Sequence, residues 1–127
     1  MSLANKITEA EFEVMKVIWA KAPQTGSEVV SALEPATGWK SSTILTMVRR
    51  LVAKGVLAAG KSEKGILYSP LITRDEYVAA AGDSFVDRFF DGALMPMLVH
   101  FTSTRKLSPK ERAQLLKLLD QGKGDKQ

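Results

Sequence analysis

The sequence predicts a mainly α-helical chain that carries one small β-hairpin. Three observations predict it. Four segments open on Ser or Thr followed three residues later by Glu, the signature of a helix start. Apolar residues behind those starts recur at the 3.6-residue helical period. Midway along, that period gives way to two short extended runs around a polar, glycine-bounded loop. With 127 residues, the chain has room for one domain or two small modules.

The four starts are Thr8…Glu11, Thr25…Glu28, Thr73…Glu76 and Ser108…Glu111. In each, the hydroxyl accepts from an orphan amide while the carboxylate reaches back to the cap's own N–H. Pro109 follows Ser108 at the first helical position, where its missing donor is not needed. The first helix, over about 8–21, places Phe12, Met15, Ile18, Trp19 and Ala22 on one face. The second, over about 26–34, is expected to stop before Pro35, ahead of a turn at Thr37-Gly38. The third runs from about Ser41 to Lys54, with Ile44, Met47, Val48 and Leu51 inward and Gly55 as a left-handed cap. Met15 and Met47 read as core fillers. Trp19 and Trp39 read as core and turn-packing residues rather than stackers for a ligand.

Val56-Leu57-Ala58-Ala59 and Ile66-Leu67-Tyr68 form the expected hairpin, joined by residues 60–65, and Pro70 ends it. A different composition starts at Thr73, so the expected division is 1–72 and 73–127. The second half is expected to be helical throughout. Residues 74–90 carry Val78, Ala81, Gly82, Phe85 and Phe89 on one stripe. Residues 93–102 carry Leu94, Met97, Leu98 and Phe101, and residues about 109–120 carry Leu115, Leu116, Leu118 and Leu119. Residues 121–127 read as a frayed polar tail.

Composition excludes several classes of function. An apolar fraction of 45% with 25% charged residues excludes wholesale disorder. No apolar run approaches the ~18 residues a membrane helix needs. The opening residues lack the apolar core of a secretory signal, which points to the cytoplasm; Met1-Ser2-Leu3 stays outside the fold argument. The absence of cysteine removes disulfides, thiolate metal sites and thiol nucleophiles. His100, the one histidine, makes neither a metal site nor a triad by itself. Gly55, Gly60 and Gly65 are too far apart to cradle a phosphate. An enzyme is therefore not expected, nor is any cofactor.

Charge is distributed unevenly. Residues 38–65 hold Lys40, Arg49, Arg50, Lys54, Lys61 and Lys64 against Glu63 alone. Residues 74–104 hold Arg74 and Arg88 against Asp75, Glu76, Asp83, Asp87 and Asp91. Two helices, a basic third helix and a basic hairpin follow the order of a winged helix-turn-helix. Ser42, Thr46, Arg49 and Ala53 lie opposite the third helix's apolar face, with Leu45 and Arg50 flanking. Lys40, Ser41, Ser42 and Thr43 bring small hydroxyls and a cation to the helix start, where the dipole favours phosphate. Arg49 and Arg50 can reach a guanine edge or the backbone, Leu45 a thymine methyl, and Lys61 and Lys64 at the hairpin tip the flanking phosphates. An ordinary solvated basic face remains the alternative.

Two stretches, Ile7-Thr8-Glu9-Ala10-Glu11-Phe12-Glu13-Val14-Met15-Lys16-Val17-Ile18-Trp19 and Thr43-Ile44-Leu45-Thr46-Met47-Val48-Arg49-Arg50-Leu51-Val52-Ala53-Lys54-Gly55, resemble the penicillinase-repressor family. This is the BlaI/MecI group of bacterial transcription factors. The resemblance implies a homodimeric repressor of the β-lactam-resistance type. Its N-terminal winged helix would bind half of an inverted-repeat DNA operator, and its C-terminal helices would join two protomers. The stripes agree: Val78, Phe85, Phe89, Leu94, Met97, Leu98, Phe101, Leu115, Leu118 and Leu119 exceed what so small a bundle buries alone. Ala79-Ala80-Ala81-Gly82 would let a neighbouring helix approach closely. A partner chain, the N-terminal domain or a self-contained three-helix arrangement could cover them; the family favours the partner.

The resemblance also implies relief of repression by a regulatory protease cutting the middle C-terminal helix. The matching junction is His100-Phe101, where the family carries Asn on the first side. By its position off the helix stripe, His100 is a surface or packing residue. Some relatives carry Arg in place of Leu45, which bears on operator choice. The cysteine-rich tail of copper-responsive members has no counterpart here. Two other classes remain open at this level: a winged-helix module that docks a protein, and a ligand-sensing winged-helix regulator.

Overall fold

All four capping boxes form, and they set the helix starts. The computed structural model describes residues 6–124, with side chains through Gln121. Its elements are α1 (Glu9–Ala20), β1 (Gln24–Thr25), α2 (Gly26–Thr37), α3 (Ser41–Ala53), β2 (Leu57–Ser62), β3 (Gly65–Pro70), α4 (Arg74–Phe90), α5 (Leu94–Thr104) and α6 (Pro109–Gly124). Thr8, Thr25, Thr73 and Ser108 each accept from the amide three residues on, and the Glu there accepts from the cap N–H.

α1 is the centre of the first unit. Val14, Met15 and Ile18 are fully buried with Val29, Leu33, Ile44, Met47, Val48, Leu51, Val56 and Leu57. Phe12 and Trp19 are half-buried on a second face, packed with Tyr77 of α4 at centroid distances of 5.7 and 6.2 Å. Trp19 Nε1 donates to the Ile72 carbonyl at 3.0 Å, which ties the approach to α4 onto α1. The apolar arc of α1 is therefore wider than the single stripe expected, and it excludes Ala22. That residue is exposed beyond the end of α1.

Three local readings are corrected. α2 does not stop before Pro35; it runs to Thr37 and closes on Gly38 at φ 75. The hydrogen bond that Pro35 cannot donate belongs to the carbonyl of Ser31, an exposed position where water can substitute. The hairpin loop is two residues, Glu63-Lys64, because Ser62 already pairs with Gly65. The Ser62 hydroxyl donates to the Gly65 carbonyl and accepts from the Lys64 amide, which holds the tight turn. The tail does not fray at residue 121, since α6 continues to Gly124. Glycine lowers helix propensity without barring the conformation, and no proline interrupts the run. Residues 125–127 of that tail, and Met1-Ser2-Leu3, lie outside the described residues.

The sheet has three strands in the order β1-β3-β2, all antiparallel. β1 is two residues long and was not expected, being too short to show a period. Gln24, buried within it, donates through Nε2 to the carbonyl of Lys21, the cap residue of α1, and to that of Val17, which also accepts from the Lys21 amide.

The chain divides into two units, one ending at Ser84 and the other beginning at Phe85. In the second, Phe85 lies 5.0 Å from Phe89 and 6.2 Å from Phe101, ring to ring. No described residue from Phe85 onward is buried.

Candidate nucleic-acid interface

α3 has an amphipathic division that its sequence dictates. Ile44, Met47, Val48 and Leu51 enter the core, while Ser41, Ser42, Thr43, Thr46, Arg49, Arg50 and Ala53 are exposed. The C-terminal end is set by a Schellman pair: Val56 N–H donates to the Leu51 carbonyl at 2.9 Å and Gly55 N–H to that of Val52 at 3.0 Å. Gly55 has φ 79, which suits glycine. The N-terminal end is different. Lys40 is the cap residue and makes no side-chain cap bond, and no acid lies in the first turn. Among the described residues the first amides of α3 thus have no side-chain acceptor, and the dipole there favours an anion.

Individual side chains are constrained in ways the helical wheel does not convey. Thr46 Oγ1 donates to the Ser42 carbonyl at 2.8 Å, so it presents its methyl and its acceptor lone pairs outward. Leu45 is half-buried, its Cδ2 2.8 Å from where a Cβ on Gly26 would stand. It seats α3 on the start of α2, so only part of it is available to a groove. Arg49 and Arg50 form no ion pair among the described residues. Ala10, Ser42, Thr43, Thr46, Met47 and Arg50 line an open groove between α1 and α3.

Lys54, counted above in the charge of residues 38–65, turns inward. Its ammonium donates to Glu11 Oε1 at 2.5 Å. Glu11 is 1% exposed, and the same oxygen accepts from the Thr8 amide. Burial pushes the Glu11 carboxyl up. The Lys54 and Thr8 hydrogen bonds, with the charges of Lys54 and Arg50, more than reverse this and leave it below the usual carboxylate range. A lysine at a helix end whose carbonyl also accepts from Lys6 Nζ at 2.9 Å is a structural cation.

On the hairpin, Lys61 sits within β2 opposite Ile66 and not at the tip, a consequence of the shorter loop; Lys64 occupies the turn itself. Both are exposed. Lys64 lines an open cleft with Lys21, Pro23, Glu28, Ser62, Glu63 and Leu67. The Thr25 amide, and further the charges of Lys21 and Lys64, lower the Glu28 carboxyl. Lys21 is a cation on this side that the segment count missed, because it lies at the end of α1, outside the basic stretch.

Of the apolar residues assigned to pairing, Val78 is 50% exposed, Phe89 61% and Leu118 63%; Phe85, Leu94, Phe101 and Leu119 are exposed too. Met97, Leu98 and Leu115 are partly covered. His100 and Phe101 lie inside α5, exposed, their rings 5.2 Å apart and His100 6.2 Å from Phe90. The His100 carbonyl accepts from both Ser103 and Thr104 hydroxyls. Among the described residues no helix is long and apolar enough to cross a membrane, and no cluster of acids and histidine could hold a metal.

Comparison with known proteins adds five findings. Residues 7–121 match the profile of the penicillinase repressor family. The chain is 35% identical to a penicillinase repressor of Bacillus licheniformis, over 99% of this chain and 98% of the relative. It is 28% identical to the Staphylococcus aureus penicillinase repressor, over 93% of this chain and 96% of that one. Among solved structures it resembles the DNA-binding domain of the repressor BlaI, with 37% identity and a TM-score of 0.53, over 60% of this chain and 92% of that one. It also resembles the Bacillus licheniformis BlaI monomer solved in complex with the blaP half-operator, with 39% identity and a TM-score of 0.51, over 56% of this chain and 87% of that one. The likeness in sequence runs nearly end to end, and the two solved BlaI structures match more than half of the chain: the chain belongs to the penicillinase-repressor family.

Proposed function

We propose that this chain is a dimeric, operator-binding transcriptional repressor of the cytoplasm, acting by occupancy and without an enzymatic step. Residues 1–72 bind one half of an inverted repeat, and residues 73–127 hold the second protomer. α3 enters the major groove. Ser41, Ser42 and Thr43 approach phosphate at its start with Lys40, and Thr46, Arg49 and Arg50 face base edges and backbone. Leu45 contacts the groove at its margin, and Lys61 and Lys64 hold the flanking backbone as a wing. The observation that carries this reading is the exposed cationic face of α3, free of internal ion pairs among the described residues, on a fold shared with a repressor solved on its half-operator.

The apolar residues Val78, Phe85, Phe89, Leu94, Met97, Leu98, Phe101, Leu115, Leu118 and Leu119 supply the pairing surface. In support, no described residue from Phe85 on reaches burial within one chain. Repression ends when a regulatory protease cuts between His100 and Phe101. That bond lies within α5, so the helix must open first. Sequencing the fragments that accumulate on induction tests this; full-length repressor in derepressed cells overturns it.

Gel-shift titration on operator and scrambled duplexes tests the main reading. Arg49→Ala and Arg50→Ala are each expected to weaken operator binding, by about 1–3 kcal/mol for whichever reads a base. That one also loses preference for the operator over the scramble. Curves that coincide with wild type for both variants overturn the docking of α3.

A further inference from the structure

The charges of the C-terminal helices are unevenly distributed, and Arg88 is the one cation among the acids from Asp83 to Asp91 at the end of α4. Asp83 and Asp87 stand one turn apart on α4, and Asp91 follows in the turn after it. Like charges at that spacing repel, and acids in the last turns of a helix oppose its dipole. The Asp87 carboxylate in addition folds toward Gly92, 3.4 Å from where a Cβ there would stand. Downstream, Arg105, Lys106, Lys110, Arg112 and Lys117 face Glu111 and Asp120 as the only acids between residues 105 and 121. None of these charges forms an ion pair within the chain among the described residues. Between the two sets lies α5, which is apolar on more than one side: Met95 and Val99, off the expected stripe, are 65% and 60% exposed.

Given the dimeric reading above, we infer that these helices carry a charge code for self-pairing: the acidic edge of α4 on one protomer meets the basic segment at the start of α6 on a second copy of the chain, and Met95 and Val99 join the apolar seam between them. A two-fold interface is reciprocal, so each such contact occurs twice, acid on base and base on acid. The occupant is thereby a second copy of this chain. A face whose own acids repel is matched by a face that the same chain supplies. Charges at the margin of an apolar seam set register and exclude wrong partners more than they add affinity.

Charge exchange on the full-length chain tests this. One variant carries Asp83→Lys and Asp87→Lys; the other carries Lys110→Glu and Arg112→Glu. Sedimentation equilibrium at low and high salt reads the dissociation constant of each variant alone and of their equal mixture. Each variant alone is expected to dissociate at least about tenfold more readily than wild type at low salt. The mixture is expected to recover a heterodimer of wild-type strength, which a mere folding defect would not allow. Variants that pair as well as wild type, or a mixture that recovers nothing, overturn the charge code while leaving the dimer intact. Wild type that stays monomeric at every concentration overturns the dimeric reading itself.

Discussion

Glu11 was legible as a capping residue and nothing more, because Thr8 three residues earlier explains a Glu at that place without tertiary structure. Its burial and its pairing with Lys54 come from the packing of α1 on α3, 43 residues apart, which no local pattern encodes. The same pairing occupies a cation that the segment count included in the basic stretch 38–65. Removing the cation alone leaves a carboxylate buried, with its second oxygen already without a partner among the described residues. Lys54→Met is therefore expected to cost about 3 kcal/mol in urea unfolding, the low end for a broken buried pair, since the lysine side chain is 33% exposed. Glu11→Gln combined with Lys54→Met should be non-additive by about 1 kcal/mol or more. The pH dependence has a definite sign. The folded carboxyl titrates below its unfolded value, so its contribution is complete above about pH 4.3 and vanishes as pH falls through the lower folded value. Unfolding midpoints measured from pH 6 downward, at about one-unit steps, should fall less steeply for Glu11→Gln than for wild type. Some acid sensitivity will persist in that variant, because Glu28 and Glu111 are lowered too.

At the scale of elements, legibility followed the strength of the local signal. Four capping boxes and a Gly55 cap announced their helix ends in the residues themselves, and the structure forms all of them. β1 could not be read, since two residues have no period and their pairing with Tyr68 and Leu67 is set by the hairpin's position. Pro35 misled because a proline is tolerated where the carbonyl it orphans faces water. The loop of the wing was overestimated because Gly60 and Lys61 carry no strand propensity, yet Ser62 closes the turn and extends β2 through them. Exposure on α3 was read correctly for Thr46 and Arg49, whereas the seating of Leu45 on Gly26 depends on the approach of α2. The Schellman closure makes a direct prediction. Gly55→Ala places a Cβ at φ 79 and is expected to destabilise by about 1 kcal/mol in thermal unfolding. An unchanged midpoint would mean that the end of α3 can relax out of the left-handed conformation.

For the whole molecule, the count of available cations tests the proposal that two protomers share one operator. Each protomer offers Lys40, Arg49, Arg50, Lys61 and Lys64 on the α3 and hairpin side, with Lys54 withdrawn to Glu11. If two protomers act together as proposed, they neutralise roughly 6–10 phosphates, and log K against log salt should fall with a slope of about −5 to −9 on the full inverted repeat. On an isolated half-site only one set engages, and the slope should be about half as steep. Arg49→Ala should reduce the slope on the full repeat by about two if both copies hold phosphate through it. If it instead reads a base edge in both, the slope should be unchanged while operator preference collapses. Equal slopes on the half and full sites would mean that the protomers bind independently. The exposed apolar residues beyond Phe85 would then have to serve something other than holding two α3 helices on one duplex.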